Sequence, residues 1–128
     1  MTHEEIPWRV VVMDTRTYTV FKDEYPVTEG HALFVPKEQK WEHLASCYKA
    51  AYMWGYEWVQ DGFCDAFNVG QNVGEAAGQT VEYPHVHLIP RRKRDCIDPT
   101  GGVRNVIPGK GNYLHQEDVD FVDKNLNT

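Results

Sequence analysis

Two histidines one residue apart form the part of this 128-residue sequence best suited to chemistry. If the segment from Tyr83 to Pro90 is extended, Tyr83, His85 and His87 project to one face while the residues between them turn into the core. A glycine-rich loop precedes the segment and carries three polar side chains, Asn72, Gln79 and Thr80. Folding does not require such a convergence of polar groups, so the convergence favours a functional site.

Two kinds of chemistry use paired imidazoles. Zinc binds His-x-His on a strand, but it needs a third protein ligand, and the nearby sequence offers neither Cys nor Asp at a fitting spacing. We therefore predict no metal. The alternative is nucleophilic catalysis at phosphorus, because a histidine with an ordinary pKa of about 6.5 is largely neutral at physiological pH. Charge that develops on the phosphoryl oxygens would meet donors from the loop N–H groups and from His31, His87, Gln79 and Thr80.

Hydropathy patterning predicts the elements that position these residues. In chain order they are strands over 8–14, 17–23 and 31–35, a helix over about 40–60, strands over 63–71 and 80–90, and a short helix over about 116–126. We expect the aromatic residues that recur at three- and four-residue spacing in the long helix, Trp41, Tyr48, Tyr52 and Trp58, to be core. The sum is an α+β fold: an antiparallel sheet of about five strands with one long and one short helix. We expect a single domain, with a C-terminal tail from about residue 95.

Charge and cysteine content exclude several classes of protein. A net charge of -6 and a pI of about 5.4 argue against a nonspecific nucleic-acid partner. The basic run from Arg91 to Arg94 is either a solvated strand end or a phosphate-facing group, and the sequence leaves both open. Three cysteines without a close pair favour a reducing compartment. The acidic N-terminus and the lack of a long apolar run predict a cytoplasmic protein with no membrane partner.

The segment from Asn72 to Arg91 closely resembles the signature of the histidine triad (HIT) family, which is H-x-H-x-H followed by two apolar residues. Pro26, Gly30-His31 and Val35-Pro36-Lys37 resemble the family's upstream block at the expected spacing. The resemblance spans Asp14 to Arg91. The tail over 98–108 looks like that of the microbial diadenosine polyphosphate hydrolase branch.

The resemblance implies an enzyme that acts at the α-phosphorus of a dinucleoside polyphosphate, with His85 as the nucleophile and a nucleotidyl-histidine intermediate. His87 and His31 match the flanking histidines that contact the phosphate and the leaving group. Asp23 matches the position that binds the ribose hydroxyls. The loop positions that touch the phosphates are matched by Asn72, Gln79 and Thr80. The resemblance further implies an adenosine-containing substrate, no cofactor and a homodimer.

One departure from the family pattern is Tyr83, which replaces the first histidine of the triad. In the family that position holds the ring N–H of the nucleophile largely through its backbone carbonyl, and a tyrosine keeps this group. We therefore expect activity, with Tyr83 beside the substrate. Two alternatives stay open: a nucleoside phosphoramidase, which would use the same residues, and a nucleotide-binding regulatory module with weak catalysis. The family's optional zinc-binding cysteine pair near the N-terminus is absent.

Overall fold

The computed structural model describes residues 1–114, which belong to two compact units. The first unit is Met1–Arg92, and the second begins at Lys93. The first unit holds all strands and the long helix: β1 (Val11–Asp14), β2 (Tyr18–Lys22), β3 (Ala32–Pro36), α1 (Trp41–Asp61), β4 (Ala66–Gly70) and β5 (Val86–Arg91). Short 3-10 turns lie at His3–Glu5, Glu75–Ala77 and, in the second unit, Gly102–Val106. The helix predicted over 116–126 lies outside the described residues.

The five strands form one antiparallel sheet in the order β1-β2-β3-β5-β4. The predicted α+β fold with five strands and one long helix is confirmed. Within residues 1–114, no helix combines the length and apolar character that crossing a bilayer requires.

Helix α1 packs on one face of the sheet through small side chains. Cys47, Ala51 and Gly55 are its buried residues. A Cβ atom added to Gly55 would lie 2.6 Å from the Phe67 ring, so the helix approaches β4 more closely than a larger residue would permit. The helix ends at Gly62, whose φ of 81° allows its N–H to bond back to carbonyls of the last turn.

The prediction that the regularly spaced aromatic residues of α1 are core is wrong for two of the four. Trp41 is 68% exposed and Tyr52 is 59% exposed. Trp54 and Trp58 do pack against the buried cluster on the helix side of the sheet. The difference arises because the small residues, not the large ones, face the sheet at close range.

A second apolar cluster lies on the sheet face opposite α1. Alternation along the strands turns Phe21, Leu33 and Val35 to this face, while their neighbours Val20 and Phe34 belong to the cluster under the helix. Ile6 and Tyr83 complete the second cluster, and Trp8 packs against it. The N-terminal segment therefore covers part of the face from which His87, the cross-strand partner of Leu33, projects.

Four strands are shorter than the sequence predicts: β2 covers Tyr18–Lys22 rather than 17–23, β4 covers Ala66–Gly70 rather than 63–71, and β1 and β5 begin later than predicted. β1 begins at Val11 rather than Trp8, and β5 begins at Val86 rather than Thr80. Proline explains the late start of β5, because Pro84 has no N–H to donate to a ladder and disfavours a strand interior. His85 therefore precedes the strand, and strict alternation does not fix its direction.

Candidate active site

His85 is held by the carbonyl two residues before it. Its Nδ1 lies 2.8 Å from the backbone oxygen of Tyr83, and the residue is only 9% exposed. A carbonyl can only accept, so Nδ1 carries the proton, and the neutral ring keeps a lone pair on Nε2. Nε2 is the nitrogen that could act as a nucleophile.

A tight turn positions His31 at the start of β3. Gly30 has a φ of 94°, and an added Cβ would lie 2.7 Å from the Phe63 ring, so the position requires glycine. Thr28 in the same turn donates its hydroxyl to the carbonyl of Pro90, at 2.7 Å. This bond ties the turn to β5, the strand that carries His87.

Hydrogen bonds fix the proton positions of His31 and His87. The N–H of Val27 donates to Nδ1 of His31 at 3.2 Å, so neutral His31 carries its proton on Nε2. This Nε2 lies 2.9 Å from Nδ1 of His87, which must then be the acceptor. Neutral His87 therefore carries its proton on Nε2. Among residues 1–114 this buried atom has no hydrogen-bond partner, so the site presents one unused N–H donor.

Asp23 lies at the end of β2 beside this pair. Its Oδ2 is 3.4 Å from Nε2 of His31, and its other oxygen accepts the N–H of Tyr25 at 2.8 Å. A third candidate metal ligand that is distant in sequence lies near two of the histidines in space, because Asp23, His31 and His87 each offer an atom within 4.8 Å of the others. A metal would nevertheless need the lone pair of His31 Nε2, and the Val27 hydrogen bond places a proton there.

Burial keeps two of the three imidazoles neutral. Desolvation lowers the pKa of His87 to about 4, and the neighbouring His85 and His31 act in the same direction. Desolvation also lowers the pKa of His31, although the Asp23 carboxylate opposes this. Both rings are therefore uncharged at neutral pH, as the hydrogen-bond chain requires.

The side chain of Tyr83 is turned away from the imidazoles. The residue is 1% exposed, and its hydroxyl donates to the carbonyl of Pro36 at 2.6 Å. Burial raises the pKa of this phenol, so it stays protonated. The prediction that Tyr83 lies beside the substrate is therefore wrong for its side chain, which is enclosed in the apolar cluster. Its carbonyl does contact His85, as expected for this position.

Comparison with known proteins identifies the family. The sequence matches the HIT domain family model over residues 3–94, which includes every imidazole described above. The chain belongs to the HIT family. Comparison with curated proteins gave no significant match.

Several solved HIT structures are similar to this chain. A HIT-like protein involved in cell-cycle regulation from Bartonella henselae is 30% identical over 71% of this chain and 75% of its own, with a TM-score of 0.61. A HIT family protein from Bacillus anthracis is 28% identical over 72% and 70% of the two chains, with a TM-score of 0.60. A zinc-bound histidine triad family protein from Mycobacterium smegmatis is 25% identical over 74% and 73%, with a TM-score of 0.64.

The loop before the HIT histidines is held together by Gln79. Its Oε1 accepts the N–H of Gly74 at 2.8 Å, and its Nε2 donates to the carbonyls of Val81 and Glu82. These bonds occupy the amide that the sequence assigned to catalysis, so Gln79 shapes the loop in this structure. Of the other two loop residues, Asn72 is half-buried and Thr80 is exposed. Within residues 1–114 neither hydrogen-bonds to an imidazole of the site.

Arg91 and Arg92, the first two residues of the basic run, hold parts of the HIT fold together. Nη1 of Arg91 donates to the Asn68 side chain across β4 and β5, at 2.8 Å. Arg92 donates to the carbonyls of Glu29 and Phe63 and lies 4.7 Å from the centroid of the Phe63 ring. These contacts favour a structural role for both guanidinium groups over a phosphate-facing one.

Sequence reasoning missed one residue of the site, Trp8. It was assigned to a strand, but its indole ring lies against His85 at a centroid distance of 4.7 Å. No motif in the sequence pairs these two positions, because they are far apart in the chain and meet only through packing.

The lowered histidine pKa values of this HIT protein predict how its stability depends on pH. Below about pH 6.5 the unfolded chain protonates His87, whereas the folded chain does so only near pH 4. The unfolded state thus binds more protons in this window, so the free energy of unfolding falls as the pH falls through it. We expect a loss on the order of 3 kcal/mol from His87, with His31 adding to it. Urea denaturation between pH 7.5 and 4 measures this.

The matched variant is His87→Gln, which removes the titrating ring. Its free energy of unfolding should depend less on pH than that of the wild type over the same window. If the free energy of unfolding depends equally on pH in the two proteins, the pH dependence comes from other groups.

Proposed function

We propose that this HIT protein hydrolyses or transfers nucleotides at the α-phosphorus of dinucleoside polyphosphates such as diadenosine tetraphosphate, through a nucleotidyl-His85 intermediate. The contact between His85 Nδ1 and the Tyr83 carbonyl at 2.8 Å carries this proposal. It leaves a neutral imidazole with its lone pair on Nε2. Tyr83 in place of the first triad histidine is compatible with catalysis, because the contact uses the backbone.

In the first step, Nε2 of His85 attacks the α-phosphorus. A phosphorus–nitrogen bond forms, and the bond from phosphorus to the leaving-group oxygen breaks. The departing polyphosphate carries the negative charge, and the unused N–H of His87 donates a hydrogen bond to the leaving oxygen. His85 then holds a positive charge on its ring, which the Tyr83 carbonyl stabilises through Nδ1–H.

In the second step, water attacks the same phosphorus. The phosphorus–nitrogen bond breaks, its electron pair returns to Nε2 of His85, and the proton from water passes to solvent. The product is a nucleoside monophosphate. If another acceptor replaces water, the same step transfers the nucleotide. Asp23, which lies beside His31, is the proposed ribose-binding residue.

A nucleoside phosphoramidase is the second candidate. A phosphate-facing basic run from Arg91 to Arg94 would favour polyphosphates, since distal phosphates would bind nearby cations. Arg91 and Arg92, however, direct their guanidinium groups to Asn68 and to backbone carbonyls of the protein. This observation weakens the preference for polyphosphates over phosphoramidates as substrates.

The test is to trap the intermediate on both substrates. The protein is mixed with diadenosine tetraphosphate or adenosine phosphoramidate, denatured within the first turnover at alkaline pH, and examined by mass spectrometry. We expect one adenylyl group on the peptide that contains His85, and the faster substrate identifies the activity. Turnover without an adduct on His85 would contradict the mechanism. Reversible binding with neither adduct nor turnover would indicate a regulatory module.

A further inference from the structure

Trp8 covers the ring of the proposed nucleophile. The indole and imidazole centroids are 4.7 Å apart, and the two planes are inclined by 54°. Trp8 is half-buried, while His85 is only 9% exposed. The two rings therefore share an interface that is largely shielded from water.

A hydrogen bond at one ring atom does not fix an imidazole. The Tyr83 carbonyl holds Nδ1 of His85 at 2.8 Å, but the ring can still tilt about this contact. Tilting would move Nε2, the atom that must point at phosphorus. The indole on one side and the His87 ring, at a centroid distance of 5.1 Å, limit this motion.

Trp8 is itself firmly held. Its ring lies 6.1 Å from that of Phe21, and it packs against the cluster that also contains Ile6 and Tyr83. Ile6 is 6% exposed and anchors the segment just before the tryptophan. Trp8, which covers His85, and Tyr83, whose carbonyl holds His85, are therefore fixed by the same apolar cluster.

From this geometry we infer that Trp8 is a positioning residue: its indole holds the His85 ring so that Nε2 keeps the direction needed for attack. Trp8 acts through His85 and does not contact the reacting phosphorus. The inference rests on the proposed function, in which His85 is the nucleophile. Because the two centroids are 4.7 Å apart, the indole also lies close to the positive charge of the nucleotidyl-imidazole ring.

The test compares Trp8→Leu with Trp8→Phe. Loss of the ring should lower kcat about 10- to 100-fold, because small misplacement of a reacting atom has effects of this size, and KM should change little. Trp8→Phe keeps an aromatic face and should retain most of kcat. The control is Cys47→Ala, a fully buried position in the cluster on the other face of the sheet. It lowers thermal stability without touching His85 and should leave kcat unchanged.

Histidine NMR of the protein supplies a readout that needs no substrate. In the wild type, ring current from Trp8 should shift the His85 ring protons upfield, and the Nδ1–H tautomer should dominate. In Trp8→Leu the shift should vanish and the ring signals should broaden. A folded Trp8→Leu protein with wild-type kcat, or a wild-type spectrum without the ring-current shift, would overturn the inference. Absence of wild-type turnover alongside the expected NMR result would count against the proposed function alone.

Discussion

Replacement of His85 by alanine abolishes turnover and adduct formation together. The proposed mechanism has no other atom to form the phosphorus–nitrogen bond, and loss of a nucleophile typically lowers kcat by about 10⁴-fold or more. The side chain is largely buried but lies just before β5, outside both apolar clusters, so the fold should survive. Steady-state hydrolysis of diadenosine tetraphosphate and intact mass after a single turnover measure the two effects.

The matched control is His43→Ala. His43 lies in α1, where its Nδ1 accepts the N–H of Glu38, away from the imidazoles of the site. This variant should keep wild-type kcat. If His85→Ala keeps a tenth or more of the wild-type rate, His85 is not the nucleophile. If His43→Ala loses activity as well, the loss in His85→Ala is not specific.

Replacement of His87 by alanine should have the second-largest effect. It removes the N–H at Nε2, the buried donor that has no partner among the described residues. Removal of one preorganised donor to developing charge costs about 10²- to 10³-fold in kcat. We expect this loss with a nucleoside polyphosphate, whose leaving oxygen gains charge in the transition state.

A second substrate separates this role from a structural one. An adenylate ester of an acidic phenol has a leaving group that holds negative charge without help, so His87→Ala should lose much less activity on it. Equal losses on both substrates would mean that His87 acts by holding His31 and the sheet rather than by donating to the leaving group. Circular dichroism of the variant checks that the fold is kept.

Much of the architecture can be predicted from local patterns. Period-two alternation predicted the strands, and three- and four-residue spacing predicted α1, whose observed bounds, Trp41–Asp61, agree with the expected range of about 40–60. The errors fall where packing overrides pattern. Trp41 and Tyr52 follow the helical spacing but are exposed, whereas the small residues Ala51 and Gly55 are the ones buried against the sheet.

The candidate site also has features that local patterns predict and features that depend on packing. The sequence alone determined that His85 and His87 come from one segment and that Gly30-His31 lies at the start of the third strand; the carbonyl that holds the His85 ring was implied by the family resemblance. These are local relations, set by chain connectivity and by the conformations that glycine and proline permit.

Only the tertiary structure decided which polar groups meet. It brought Asp23 to His31 and His31 to His87, and so fixed the tautomers of both rings. It also buried the Tyr83 side chain and used Gln79 to shape the loop. It placed Trp8 on His85 across more than 70 residues of chain. The physical reason is that hydrogen-bond partners, burial and ring contacts between distant segments depend on the packing of the whole sheet, which no local pattern encodes.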